Sequence, residues 1–162
     1  MSLPRTPSQT VGPYYAIGMC RRPENELVAR HDPAAIRVTG MLLDGTGEPI
    51  PDGLIELWSA EAEAWGRCGT HPDGAFDFVL AKPPAAAGEA PRYDVYVFAR
   101  GLLRHQLTRL YFPDELGANA TDPVLSALGP EERATLVARA DSDGLRFDIR
   151  MQGELQTVFF AT

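Results

Sequence analysis

Long apolar runs are missing from this chain. No stretch of its 162 residues is apolar for long enough to cross a bilayer, and the opening MSLPRTPSQ lacks the apolar core of a secretory signal. No membrane role is therefore expected, and the expected address is the cytoplasm. Cysteine is nearly absent as well. Cys20 and Cys68 are the only two, and in a reducing compartment such a pair is expected as free thiols, not a bridge. Positive charge is in deficit: 15 Lys plus Arg against 22 Asp plus Glu leave a net charge of −7. That balance argues against a broad nucleic-acid-binding face, which needs clustered cations to displace counterions. It leaves room for a local cationic pocket that takes a small anion. Histidine is confined to His31, His71 and His105. A catalytic metal needs at least three convergent ligands; Cys68 and His71 in CGTH could supply two corners, but no second Cys or His pair follows. The nucleophile elbow, the phosphate loop and the dinucleotide fingerprint are all lacking. Judged by residue chemistry alone, this is not a self-sufficient enzyme.

What the chain does contain is punctuation. Fifteen glycines and 14 prolines fall between short apolar runs, the pattern of an all-β domain. Strands are expected in IRVTGMLLD (Ile36 to Asp44), GLIELWSA (Gly53 to Ala60), GAFDFVLAK, RYDVYVFARG, QLTRLYF, GLRFDIRMQG and TVFFAT. Period-two alternation separates Ile55 and Leu57 from Glu56 and Trp58, and Tyr93, Val95 and Val97 from Asp94, Tyr96 and Phe98. One segment breaks the rhythm. TDPVLSALGPEERATLVARADSDG carries helical spacing at Leu125, Leu128, Leu136 and Val137. Thr121 or Asp122 can cap its first piece, with Pro123 near the first position. Gly129 ends that piece, and Pro130, Glu131 and Glu132 open a second. The expected architecture is one β-sandwich domain over residues 36–162, with two short helices packed outside it. Residues 1–35 form an extended N-terminal arm and a charged surface loop with at most one helical turn.

Two arginines stand out. Arg100 follows VYVFA where a strand leaves the sandwich, and Arg109 interrupts QLTRLYF. An arginine at a strand end is most often a solvated rim charge. The alternative is anion recognition, since a planar, permanently charged guanidinium suits a carboxylate bidentately. The arm itself, TPSQTVGPYY from Thr6 to Tyr15, has no helical or strand period and is stiffened by proline at two points.

TPSQTVGPYYAIGM, VFARGLLRHQLTRLYFPDE and LRFDIRMQGELQTVFF together resemble the alpha chains of protocatechuate 3,4-dioxygenases, within the intradiol ring-cleaving dioxygenases. LDGTGEPIPDGLIELWSA and GRCGTHPDGAF fit the same pattern. The resemblance implies a β-sandwich that assembles with a beta chain. That partner would hold a non-haem ferric iron through two tyrosinates and two histidines and cleave a catechol with O2, turning 3,4-dihydroxybenzoate (protocatechuate) into 3-carboxy-cis,cis-muconate. The paired histidines would fall here at Arg92 and Asp94, and the tyrosinate segments are reduced to SAEAEAWGRC and the tyrosine-free KPPAAAGEAP. The resemblance therefore implies no catalytic residue and no metal ligand in this chain. It implies instead a wall for the partner's pocket, built from Thr10, Gly12, Pro13 and Tyr14 of the arm, with Arg100 facing the substrate carboxylate. The loops after ELW and at PPAAAGEAP are shorter than is usual for such chains. Two rivals accompany this expectation: a stand-alone sandwich that binds aromatic acids, and, ranked last, an autonomous dioxygenase using Asp94, His71 and His105. Tyr14, Tyr15, Trp65 and Phe159 are aromatic residues that suit either a subunit interface or the core.

Overall fold

The computed structural model describes residues 4–20 and 24–161. A short helix, α1 (Tyr14–Met19), precedes β1 (Ile36–Leu43), β2 (Leu54–Ser59), β3 (Ala64–Gly69), β4 (Ala75–Leu80), β5 (Arg92–Phe98) and β6 (Gln106–Tyr111). Three further helices, α2 (Leu116–Thr121), α3 (Pro123–Ala127) and α4 (Pro130–Ala134), lead to β7 (Arg139–Asp141), β8 (Gly144–Arg146) and β9 (Ile149–Arg150). One sheet runs β4-β1-β8-β7 with β9 also paired to β1; the other runs β3-β2-β5-β6.

The alternation in sequence sets what lies between the sheets. Val38 and Leu42 of β1 and Phe76, Phe78 and Leu80 of β4 meet Ile55, Leu57, Tyr93, Val95, Val97 and Leu110 of the other sheet in one apolar core. This is the all-β sandwich expected from the strand pattern. Gly40 is what lets its neighbours in the same sheet close over β1. A Cβ there would lie 2.0 Å from the Phe147 carbonyl oxygen and 2.3 Å from the Phe76 ring. A second, smaller core of Ala90, Tyr111, Leu125 and Leu136 seats the late helices on the far side of β6.

That helical block hangs on one buried carboxylate. Asp122 caps α3, accepting the N–H groups of Val124 at 2.9 Å and Leu125 at 3.0 Å, with Pro123 at the first position. Its other oxygen accepts the N–H of Ala90 at 2.9 Å. At α4, Glu132 reaches back to the N–H of Gly129 at 3.0 Å, the reciprocal half of a capping box.

Several expectations need correction. The stretch expected as an unstructured lead-in turns helical at Tyr14, because Pro13 already holds a helical φ of −61° at the N-cap and Ala16 buries the inner face. Three late helices form instead of two. The unforeseen α2 has no apolar stripe, since Leu116 is exposed and Asn119 is buried to donate to the Phe112 carbonyl at 2.8 Å. Leu136 and Val137 lie beyond α4, in extended chain whose backbone exchanges hydrogen bonds with Tyr111, so their helical spacing is coincidental. AWGRCG forms a strand despite its glycines, because Gly66 gives room to Leu27. GLRFDIRMQG breaks into β8 and β9, and TVFFAT makes only an isolated bridge from Phe160 to Leu107. The charged loop is also no free loop. Residues 24–28 bridge Arg67 and Val79, lacing together β3 and β4, an edge strand from each sheet, and so covering two edges that would otherwise invite pairing.

Candidate functional site

Antiparallel register builds the site around Arg100. β2 and β5 pair with Leu54 opposite Phe98; two residues further out, that register sets Asp52 opposite Arg100. The chain leaves β5 through a tight turn in which the Leu102 N–H reaches the Ala99 carbonyl at 3.3 Å, with Gly101 at a φ of +90°. Arg100 therefore sits at the tip of a rigid connection, its Nε 3.0 Å from Asp52 Oδ2, with 55% of its side chain still exposed. The arm crosses the same turn. Thr10 Oγ1 accepts the N–H of Gly101 at 2.8 Å.

Behind this contact lies an aromatic ladder. The Tyr15 ring stands 5.8 Å from Phe98, Phe98 lies 5.5 Å from His105, and His105 lies 5.4 Å from Tyr96. With Gln9, Val11 and Leu103, the rings of Tyr15, Phe98 and His105 line a cleft of about 350 Å³. A second hollow of about 600 Å³ opens on the other flank of the turn, against Thr46, Ile50, Arg100, Met151 and Gln152. Burial, aided by the nearby Glu56 charge, raises the Tyr15 phenol above its ordinary value, so its hydroxyl stays protonated at neutral pH.

The five site residues expected from sequence separate into three groups. Thr10 and Arg100, 90 positions apart, are brought side by side through Gly101. Gly12 gives its carbonyl to the Tyr15 N–H at 3.0 Å, and Pro13 caps α1, so both act on the path of the arm. Tyr14 points away from the domain with 80% exposure. The four aromatic residues also divide. Tyr14 and Trp65 are exposed, while Tyr15 packs on Phe98 and Phe159 packs on the core. Sequence reasoning missed Asp52, the aromatic ladder and the cleft-lining Gln9 and Val11.

Arg92 and Asp94, where the resemblance would put paired histidines, carry different chemistry. On the outer face of the β3-β2-β5-β6 sheet, Asp94 lies 3.2 Å from Arg109 Nε and 3.7 Å from Arg92 Nε, and Arg92 also pairs with Glu89. Two arginines and two carboxylates cancel. Although burial works against its charge, contacts with the Tyr111 hydroxyl and the carboxylates of Asp94 and Glu89 raise the Arg109 pKa further. Arg109 is thus a partly buried ion-pair member, which corrects the rim-charge expectation. A ferric ion needs lone-pair donors, and guanidinium has none to give, so this face does not fit the metal. Among the described residues, no group of three or more His, Cys, Asp and Glu gathers in a metal-binding arrangement. Asp94, His71 and His105 accordingly do not form one. His105 stacks on Tyr96 and Phe98, and the His71 backbone serves a turn to Ala75. Cys20 and Cys68 are half-buried free thiols, and burial pushes Cys68 up to about 11.

No family model matches the chain. Curated relatives do. The protocatechuate 3,4-dioxygenase alpha chain of Pseudomonas putida is 40% identical over 98% of this chain and 96% of its own length. The alpha chain from Burkholderia cepacia is 38% identical over 98% of both chains. That alignment spans 193 positions, more than the 162 residues here, so the relatives carry insertions. The Burkholderia cepacia beta chain is 27% identical over 73% of this chain and 64% of its own length. Among solved structures, the dioxygenase domain of a dioxygenase–carbohydrate-binding fusion from Streptomyces sp. SirexAA-E superposes with a TM-score of 0.65 at 25% identity, covering 91% of this chain and 98% of that one. An intradiol ring-cleavage dioxygenase from Tetranychus urticae shares the fold at a TM-score of 0.61 and 16% identity, covering 95% of this chain and 98% of that one. This chain belongs to the protocatechuate 3,4-dioxygenase alpha-chain family, within the intradiol dioxygenases.

Proposed function

We propose that this chain is the iron-free subunit of an intradiol ring-cleaving dioxygenase and completes the substrate pocket of a ferric beta chain acting on 3,4-dihydroxybenzoate. When bound in that partner, non-haem Fe(III) supplies the means to bring a catechol and O2 together. This chain supplies shape and charge. Thr10, Gly12, Pro13 and Tyr14 form a wall, and Arg100 presents a permanent cation to the ring carboxylate, a pairing that strengthens as water is excluded. The prolines lower the entropy lost when the arm is ordered against a partner. Its exposed Tyr14 and Ile17 give it apolar surface to bury there.

The observation that carries the reading is the self-neutralised Glu89–Arg92–Asp94–Arg109 face in a chain related to alpha chains over nearly its whole length. Where a catalytic chain needs metal donors, this one carries fixed cations. The family assignment also favours this reading over a stand-alone module for aromatic acids.

The test is Arg100→Ala in the co-purified alpha–beta complex. Loss of a charge-assisted contact to the carboxylate should lower kcat/KM for 3,4-dihydroxybenzoate by about 10- to 100-fold. An unchanged value means that Arg100 does not read the carboxylate.

A further inference from the structure

Asp52 is an anomalous acid. Among the described residues it is one of two non-glycine positions with positive φ, at 56°, a conformation that is uncommon for such residues and tolerated best by Asn and Asp. Only 18% of its side chain is exposed. Its Oδ1 is buried with no hydrogen-bond donor among the described residues. Backbone strain and an unsatisfied carboxylate oxygen each cost stability, and such costs concentrate at functional sites. A residue serving the turn alone would be better as glycine. What Asp52 does accomplish is specific: its Oδ2 lies 3.0 Å from Arg100 Nε.

The geometry of a guanidinium makes that contact informative. The Asp52 carboxylate lies against the Nε side of the group as an ion pair and leaves the two terminal nitrogens as a pair of donors for another acceptor. No second carboxylate among the described residues lies within ion-pair distance of Arg100. Asp52 also stands on the turn leading into β2 and Arg100 on the turn leaving β5, so the pair is held by two hydrogen-bonded strands. The same connection receives the arm through Thr10 and Gly101.

We propose that Asp52 is a positioning residue for carboxylate recognition: its charge, on the Nε side of Arg100, holds the guanidinium so that the terminal edge presents a pre-oriented fork to the acid group of the ring. This rests on the role assigned to Arg100 above. Asp52 does not touch substrate. It spares Arg100 the ordering cost of a long, flexible side chain when the ligand arrives.

The experiment uses the intact alpha–beta complex and compares 3,4-dihydroxybenzoate with catechol, which lacks the carboxylate. Asp52→Asn keeps the shape and the tolerance for positive φ but removes the charge. It is expected to lower the ratio of kcat/KM for the acid to that for catechol by about tenfold, chiefly through KM. Asp52→Glu should recover part of that ratio. Asp52→Gly should raise the Tm by relieving strain while lowering the ratio as Asn does. Arg100→Ala, measured alongside, separates the two ideas. If it leaves the ratio unchanged, the Arg100 reading fails. If it lowers the ratio but Asp52→Asn leaves it unchanged or raises it, the positioning role alone is overturned. A change in Tm with no change in ratio has the same consequence.

Discussion

Asp122 has no solvent exposure, yet its carboxylate accepts three backbone N–H groups and a hydrogen bond from the Tyr111 hydroxyl at 3.3 Å. Removing it strands all four donors. Asp122→Ala is expected to destabilise the chain by about 2–4 kcal/mol, measured by urea denaturation, because both a cap and buried partners are lost. Asp122→Asn keeps part of the acceptor capacity and should cost less. At the same scale, burial raises both thiols, Cys68 to about 11. Neither should react readily with a thiol reagent at pH 8 in the folded protein, and both should react on unfolding. The Asp122 cap was legible from local sequence, because it lies next to Pro123 and opens a helical run. The Asp52–Arg100 pair was not. Its members are 48 positions apart, and only the strand register joins them.

At the level of elements, glycine positions tell which packing is obligatory. Gly40→Ala would drive a methyl group into the Phe147 carbonyl and the Phe76 ring. It is expected to cost about 1–3 kcal/mol or more, or to prevent soluble expression. Gly12→Ala meets nothing within 4 Å in this chain and should leave the Tm of the isolated chain nearly unchanged. A clear loss in its Tm would mean that the arm packs differently. The long strands were readable because burial on one face imposes period two, as β5 displays. Elements defined by tertiary contact escaped: β3 closes over Leu27, α2 is placed by Asn119, and the segment after α4 is extended because it pairs with Tyr111. The arm divided the same way. Its proline-stiffened beginning was foreseen, while α1 depends on the burial of Ala16, which local composition does not show.

For the molecule as a whole, alkaline stability follows from two buried phenols. Burial pushes Tyr93 up to about 12. It does the same for Tyr111, to about 12, with Asp122 adding to the rise and Arg109 opposing it. An unfolded tyrosine ionises near pH 10. Above that pH the unfolded chain gives up these protons while the folded chain keeps them, so stability present below about pH 10 is lost between about 10 and 12. Spectrophotometric titration should find two of the five tyrosines ionising only together with unfolding. At this scale the sandwich and the alpha-chain resemblance were legible because the motifs bracket the chain, whereas the cancelled charges of Glu89, Arg92, Asp94 and Arg109 required the sheet to bring β5 and β6 together. In the proposed function this polypeptide contributes a wall and a cation, and its partner contributes the iron. The most direct measurement is iron content and ring-cleaving activity of the chain purified alone and then reconstituted with its beta chain. The predicted result is a colourless, inactive chain alone, with iron and activity following the beta chain. Stoichiometric, firmly held iron in the lone chain would contradict it.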